Sequence, residues 1–195
     1  MIISFTRDIA KLFNLKLKLA HSEIYINSPL LDDWVMGLLF INKNATGVYL
    51  IHRHSRLILF VAATKPDLNM CINLLRNQLL QILDNVGLND TKYAKYFDAL
   101  FYELIGVRHD NKSITSEIGN LKTCFYWFDE SARKNKEKIY SIDFINQINN
   151  EIRVKLDFKT PLEVFCELVK KYYDDPILLT DNHPDYKKYE KTIIY

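Results

Sequence analysis

Two histidines, His52 and His54, flank Arg53 in the stretch Ile51-His52-Arg53-His54-Ser55-Arg56. Side chains two apart on an extended strand share a face, so a His-x-His pair can grip one metal ion. A metal centre needs further ligands, and His109 or Asp110 would have to bring them from a distant loop. The same residues also read as a polar hairpin turn in which Arg53 and Arg56 present cations to an anionic partner. No metal or cofactor is assigned on this pair alone.

Other chemistry-bearing residues are scattered. Asp32-Asp33 could pair carboxylates for metal or acid–base work, but neighbours on a strand point apart and Asp is a common loop residue. Glu103 with His109 and Asp110 is a conceivable acid–base group whose geometry nothing fixes. Arg133, Lys134, Lys136 and Lys138 form the one basic cluster, a solvated helix end or a phosphate contact. Cys124-Phe125-Tyr126-Trp127-Phe128 is an aromatic block. Aromatics at helical spacing are usually core, which leaves Tyr126 and Trp127 as the exposed candidates for stacking on bases. No phosphate-binding loop, nucleophile elbow, dinucleotide fingerprint or zinc-helix motif is present.

The elements that must position these residues centre on Trp34 to Ala62. Three apolar runs of strand length, rich in Val, Ile, Tyr and Phe, are separated by polar turn residues. They read as a three-stranded antiparallel meander. Its runs are nearly continuous rather than alternating, which implies helices on both faces. Ile2 to Phe5 reads as a short strand, and Thr6 as the N-cap of a helix bearing Ile9, Leu12 and Phe13. Residues 16–33 have an irregular pattern. The clearest helix begins at Lys65-Pro66-Asp67, carries Leu68, Ile72, Leu75, Leu79, Ile82 and Val86, and meets a C-terminal glycine at Gly87. Further helices are expected from Thr91 to Ile105, from Ser113 to about Arg133 and from Ser141. Residues 107–112 are expected to be a polar loop, and Gly119 to mark close packing or a break. Thr160-Pro161-Leu162-Glu163 is a capping box opening a last helix, which Asp174-Asp175-Pro176 ends.

Composition sets the class. The chain has 195 residues, 48% hydrophobic, with 12 Tyr and 11 Phe, enough for a sizeable core. Its 26 basic and 24 acidic side chains give a formal net charge of +2, which lends nucleic-acid binding no support and excludes none. Cys71, Cys124 and Cys166 are odd in number, far apart and in apolar helical contexts, as expected of reduced thiols in a cytoplasmic protein. The first residues carry no signal-peptide pattern, and no apolar run is long enough to span a membrane.

Several landmarks together resemble an uncharacterised bacterial family, a domain of unknown function found in bacterial and mobile-element genomes. They are the opening Met1-Ile2-Ile3-Ser4-Phe5-Thr6-Arg7, the strand Asp33-Trp34-Val35-Met36-Gly37-Leu38-Leu39-Phe40-Ile41-Asn42, and Leu57 to Asp67. Ser113 to Asn120 is a fainter fourth. Family members open with a strand and Cys-Thr-Lys, and carry a Trp-x-Ala-Asn-Leu strand. Here Phe5 stands for the Cys and Met36-Gly37 for Ala-Asn. The resemblance runs to about residue 130 and implies no activity. A second one is local: Ile148 to Phe165 is similar to the C-terminal end of integrase-type transposases, with their Asn-Asn, Leu-Gly-aromatic turn and Thr-Pro-x-Glu-Val-Phe. The chain lacks the carboxylate-bearing strands of such an enzyme, so the stretch reads as a loop and a capped helix.

The expectation is an α+β domain over residues 1–175, a small antiparallel sheet of the N-terminal strand and the meander packed by several helices. Residues 176–195 are expected as a C-terminal arm, docked or frayed. The functional reading leans away from an enzyme. It is a cytoplasmic binding protein of a phage or plasmid that occupies a host-defence component or acts as an antitoxin-like module. A protein partner is expected, self-association is allowed and no membrane is involved. A nucleic-acid-binding accessory using Arg53, Arg56, Arg133, Lys134, Lys136 and Lys138 is the alternative. A metal-dependent hydrolase using His52 and His54 is the second.

Overall fold

A computed structural model describes residues 2–15, 33–42, 45–88, 105–108, 116, 118–123, 126, 141–151 and 153–173. β1 (Ile2–Phe5) leads into α1 (Arg7–Leu12). The meander follows as β2 (Asp33–Asn42), β3 (Ala45–His52) and β4 (Ile58–Ala63). Then come α2 (Leu68–Asn85), β5 (Ile105–Arg108), α3 (Ser141–Asn149), a 3₁₀ turn (Val154–Leu156) and α4 (Pro161–Tyr173). The strands form one open sheet in the order β4-β3-β2-β1-β5.

The α+β class and the antiparallel meander are as the sequence implied, but the sheet is mixed. β1 runs parallel to both of its neighbours, pairing Ile3 with Trp34 on one side and with Gly106 on the other. Ile105–Arg108 is a strand, where the sequence suggested the end of a helix and a polar loop. Its β-branched Ile105 and Val107 suit a pleated surface, and pairing with β1 gives the N-terminal strand a second neighbour. The rest of the expected helix from Thr91, and the arm at 176–195, lie outside the described residues.

Alternation along the strands divides the core in two. Trp34, Met36, Leu38, Val48, Leu50, Leu57 and Leu59 pack with Ile9 of α1, with Cys71, Leu75, Leu79 and Leu83 of α2, and with Phe165 and Val169 of α4. On the opposite face Val35, Leu39, Tyr49, Ile51, Ile58 and Phe60 meet Ile118, Leu121, Ile145 and Ile148. Both faces are therefore covered, as the unbroken apolar runs required. Gly37 lies opposite Tyr49 in the β2–β3 register, and the Tyr49 ring fills the space a Cβ would need.

Helix ends follow the local sequence. Asp67 accepts the amide of Met70 at 3.0 Å. At the other end of α2, Gly87 has φ +70°, its N–H donates to Asp84 O, and Leu88 N–H donates to Leu83 O. That is a Schellman motif, with Leu83 and Leu88 both buried beneath it. The short α1 closes the same way with Asn14 at φ +53°. Thr160 and Glu163 exchange both bonds of a capping box, at 2.7 and 3.1 Å. Thr6 departs from expectation: it precedes α1 in an extended conformation, but its side chain makes no capping bond. Gly119 is exposed with open space around it, so it neither packs closely nor breaks the helical residues 118–123.

The edge strand β4 is closed from two sides. Asn149 of α3 accepts the N–H of Ile58 at 2.8 Å and donates to its carbonyl at 2.7 Å. Gln78 of α2 accepts the N–H of Phe60 at 2.6 Å. Two amides from helices on opposite faces thus satisfy backbone groups that an edge strand otherwise offers to another chain. Asn149→Ala leaves both groups of Ile58 without their partner and should cost about 2 kcal/mol in urea unfolding followed by Trp fluorescence. Tyr49→Phe should be neutral or stabilising in the same assay, because the Tyr49 hydroxyl is buried without a hydrogen-bond partner. A loss above about 1 kcal/mol would show that the hydroxyl is bonded.

Candidate functional site: the polar end of the sheet

The β3–β4 connection brings together most of the chemistry-bearing residues that can be placed. His52 is the last residue of β3, and Arg53 to Arg56 turn the chain. His52 N–H donates to Leu57 O at 2.8 Å, and Arg56 N–H to His52 O at 2.9 Å, with Arg56 at φ +64°. A four-residue loop closed this way needs a left-handed residue at its end.

His52 is fully buried. Ser55 N–H donates to its Nδ1 at 3.1 Å, and the Ser55 hydroxyl lies 2.7 Å from the same atom. The hydroxyl oxygen also accepts Leu57 N–H at 3.2 Å. Nδ1 is thus an acceptor, and the tautomer that satisfies this set carries its proton on Nε2. The ring sits between Trp34, at 4.8 Å between centroids, and Phe165, at 5.1 Å. Strand alternation stops at His52, so His54 belongs to the turn. Its ring lies 5.9 Å from that of His52, tilted by 60°. Among the described residues no group of three or more His, Cys, Asp or Glu side chains is placed to hold a metal.

On the other face, Asp33 at the start of β2 lies beside Arg53, with Oδ2 2.8 Å from Nε. These side chains are only 8% and 14% exposed. The Arg53 guanidinium also donates to the buried Ser4 hydroxyl at 3.1 Å, and Arg53 N–H donates to Asp33 O at 2.9 Å. Arg53 therefore ties β1, β2 and the turn together, with its charge set against a carboxylate. Removing one member would leave a nearly buried charge behind.

His54 is the accessible member, 39% exposed. Burial first, then the charges of Arg53 and Arg56, hold its pKa below the ordinary 6.5. Asp33 lies 3.9 Å away and pulls the other way. Its charge is already opposed by Arg53 at closer range, so the lowering wins. The two described cysteines are free thiols. Burial, with Asp67 adding, pushes Cys71 up to about 11, and burial raises Cys166 as well. Neither thiol is poised as a thiolate nucleophile.

Of the residues singled out from sequence, the structure brings His52, His54, Arg53 and Arg56 to this end of the sheet. Asp33 joins them. Tyr126 is exposed at 64%. Asp32, Glu103, His109, Asp110, Trp127 and the basic cluster Arg133, Lys134, Lys136 and Lys138 lie outside the described residues. Sequence reasoning missed Ser4, Ser55, Gln78 and Asn149. A polar residue beside an apolar neighbour was the only signal for Ser4, Gln78 and Asn149.

With this geometry in place, the comparisons give a class. A family model described as a domain of unknown function, DUF6933, matches residues 2–164. The chain belongs to that family. The match spans the sheet, α1, α2, α3 and the loop and capping box that follow, and ends in the first turn of α4. No curated protein and no solved structure matches the chain. Among the described residues no helix is long and apolar enough to cross a membrane.

The lowered pKa of His54 has a stability consequence. Between the folded pKa and 6.5 the unfolded chain binds more protons, so stability is full above 6.5 and falls as pH drops below it. His54→Gln should remove that component. The difference in unfolding free energy between wild type and variant, followed from about pH 8 to pH 5, should change in this window. A difference independent of pH would show the imidazole to be unperturbed.

Proposed function

We propose that this domain is a non-enzymatic, cytoplasmic binding module carried by a mobile element, a phage or a plasmid. It works by occupying a protein partner, either a component of host defence or a toxin to which it serves as antitoxin-like counterpart. One observation carries the reading. The buried polar side chains at the end and the edge of the sheet are engaged in holding the fold, while two aromatic side chains are exposed at the surface. His52 is committed to Ser55, Asp33 to Arg53 and Asn149 to Ile58. Tyr126 and Phe158 are exposed at 64% and 73%. Exposed aromatics are the side chains that most often anchor protein contacts. The sequence resemblance to a family found in mobile-element genomes supplies the biological setting.

A nucleic-acid-binding accessory remains the alternative reading. Of its six cationic residues, Arg53 is set against Asp33, and the cluster at 133–138 would have to carry the contact. The metal-dependent hydrolase would need His52 to bind through Nε2, since Nδ1 is occupied.

A tagged full-length chain, recovered from host cells in nuclease-treated and untreated halves, separates these. The expected result is one protein retained in both halves at a fixed ratio. Capture that vanishes with nuclease would move the function to nucleic acid, and an empty capture would overturn the binding reading.

A further inference from the structure

The loop before α4 holds an aromatic residue in a conformation that its own chemistry disfavours. Arg153 and Lys159 form an antiparallel bridge, with Arg153 N–H donating to Lys159 O at 3.0 Å. Lys159 N–H returns to Leu156 O at 3.0 Å, and Phe158 N–H to Arg153 O at 3.1 Å. Between them Asp157 has φ +51° and Phe158 φ +61°. Two consecutive positive φ values under an i to i+3 bond define a type I′ turn, whose central positions favour Asn-Gly. A large side chain there is a genuine outlier. Phe158 gains no burial in exchange, since it is 73% exposed.

The tip is nevertheless fixed to the body. Lys159 bonds both carboxylate oxygens of Glu167 on α4, and the next residue, Thr160, opens the capping box. A disfavoured conformation that presents an apolar ring to solvent from a firm base points to a function for the ring. The surroundings select the class of partner. Glu151, Arg153, Lys155, Asp157, Lys159 and Glu163 mix both signs and sum to zero, and Lys159 is already paired. Among the described residues of this loop a phosphate backbone or an anionic bilayer finds no cationic field. A two-fold contact between copies of this turn would set one convex tip against another, which fills neither. A projecting ring needs a concave apolar socket.

We propose that Phe158 is the anchor of a protein–protein contact, its ring entering an apolar socket on a partner of different sequence, with the mixed charges of residues 151–163 at the rim. This rests on the reading of the domain as a binding module. The test places p-benzoylphenylalanine at position 158 of the full chain in host cells, followed by irradiation. The expected product is one discrete protein adduct that resists nuclease. Excess wild-type chain should compete it away, and excess Phe158→Gly chain should not. Relieved of the disfavoured backbone, Phe158→Gly should itself melt higher, by about 2–4 °C.

An adduct of twice the chain's own mass, a nuclease-sensitive adduct, a lipid-only product or no adduct would overturn the proposal. So would equal competition by Phe158→Gly, or a lower melting temperature for that variant. If Phe158→Gly still retains the nuclease-resistant partner of the capture experiment, the anchor fails while the binding reading stands. If no partner is captured at all, both fail.

Discussion

A sheet covered on both faces shields its interior from solvent, so a polar group drawn inside is costly unless it finds a partner within the protein, which the Tyr49 hydroxyl does not. That constraint explains most of the polar residues that the structure places. Asn149 and Gln78 reach β4 from opposite faces and bond the N–H and carbonyl of Ile58 and the N–H of Phe60 on its outer edge. Ser55 serves His52 with its N–H and its hydroxyl, and the same hydroxyl oxygen accepts from Leu57. Arg53 reaches Ser4 and Asp33, one on β1 and the other at the start of β2. The Ser55 set closes one turn, whereas the Asn149, Gln78 and Arg53 sets join separate elements, so these polar groups specify which elements meet while the apolar residues drive the burial.

The end of the sheet around His52 shows how far this goes. A histidine, two arginines and a serine in one turn, with an aspartate from another strand beside them, would suggest catalysis in a cleft. Here the imidazole is enclosed by Trp34 and Phe165, which themselves meet at 5.7 Å with an edge-on geometry. One ring nitrogen accepts the turn's own N–H. The carboxylate and the guanidinium are spent on each other. Local residue types alone do not separate a site from a brace. What separates them is where the hydrogen bonds go.

Features governed by short-range rules were legible in the sequence. The meander followed from its apolar runs and the turn residues between them. The helix from Asp67 to Gly87 and the capping box at Thr160 followed from residue types at fixed offsets. Features governed by pairing between distant segments were not. The parallel placement of β1, and β5 beside it, depend on which strand lies next to which, and four-residue strands carry little pattern of their own. Gly106 reads equally as a helix stop and as a strand residue opposite Ile3. The bracing role of Asn149 depends on a strand 91 residues away. The turn at Phe158 was partly within reach, because Leu156-Asp157-Phe158 is similar to a Leu-Gly-aromatic turn. Its left-handed backbone is visible only in three dimensions.

The two amides on β4 also tie the fate of the edge to that of the helices. α2 and α3 lie on opposite faces of the sheet, and each carries one of the groups that close the strand. Detachment of α3 alone, a local opening far short of global unfolding, would bare both backbone groups of Ile58 and the apolar side chains beneath. An apolar strand with a free edge is a template for another chain. The first aggregation-competent form of this domain is then a nearly native one that has lost a single helix, and tolerance of heat and crowding is set by how firmly that helix is held.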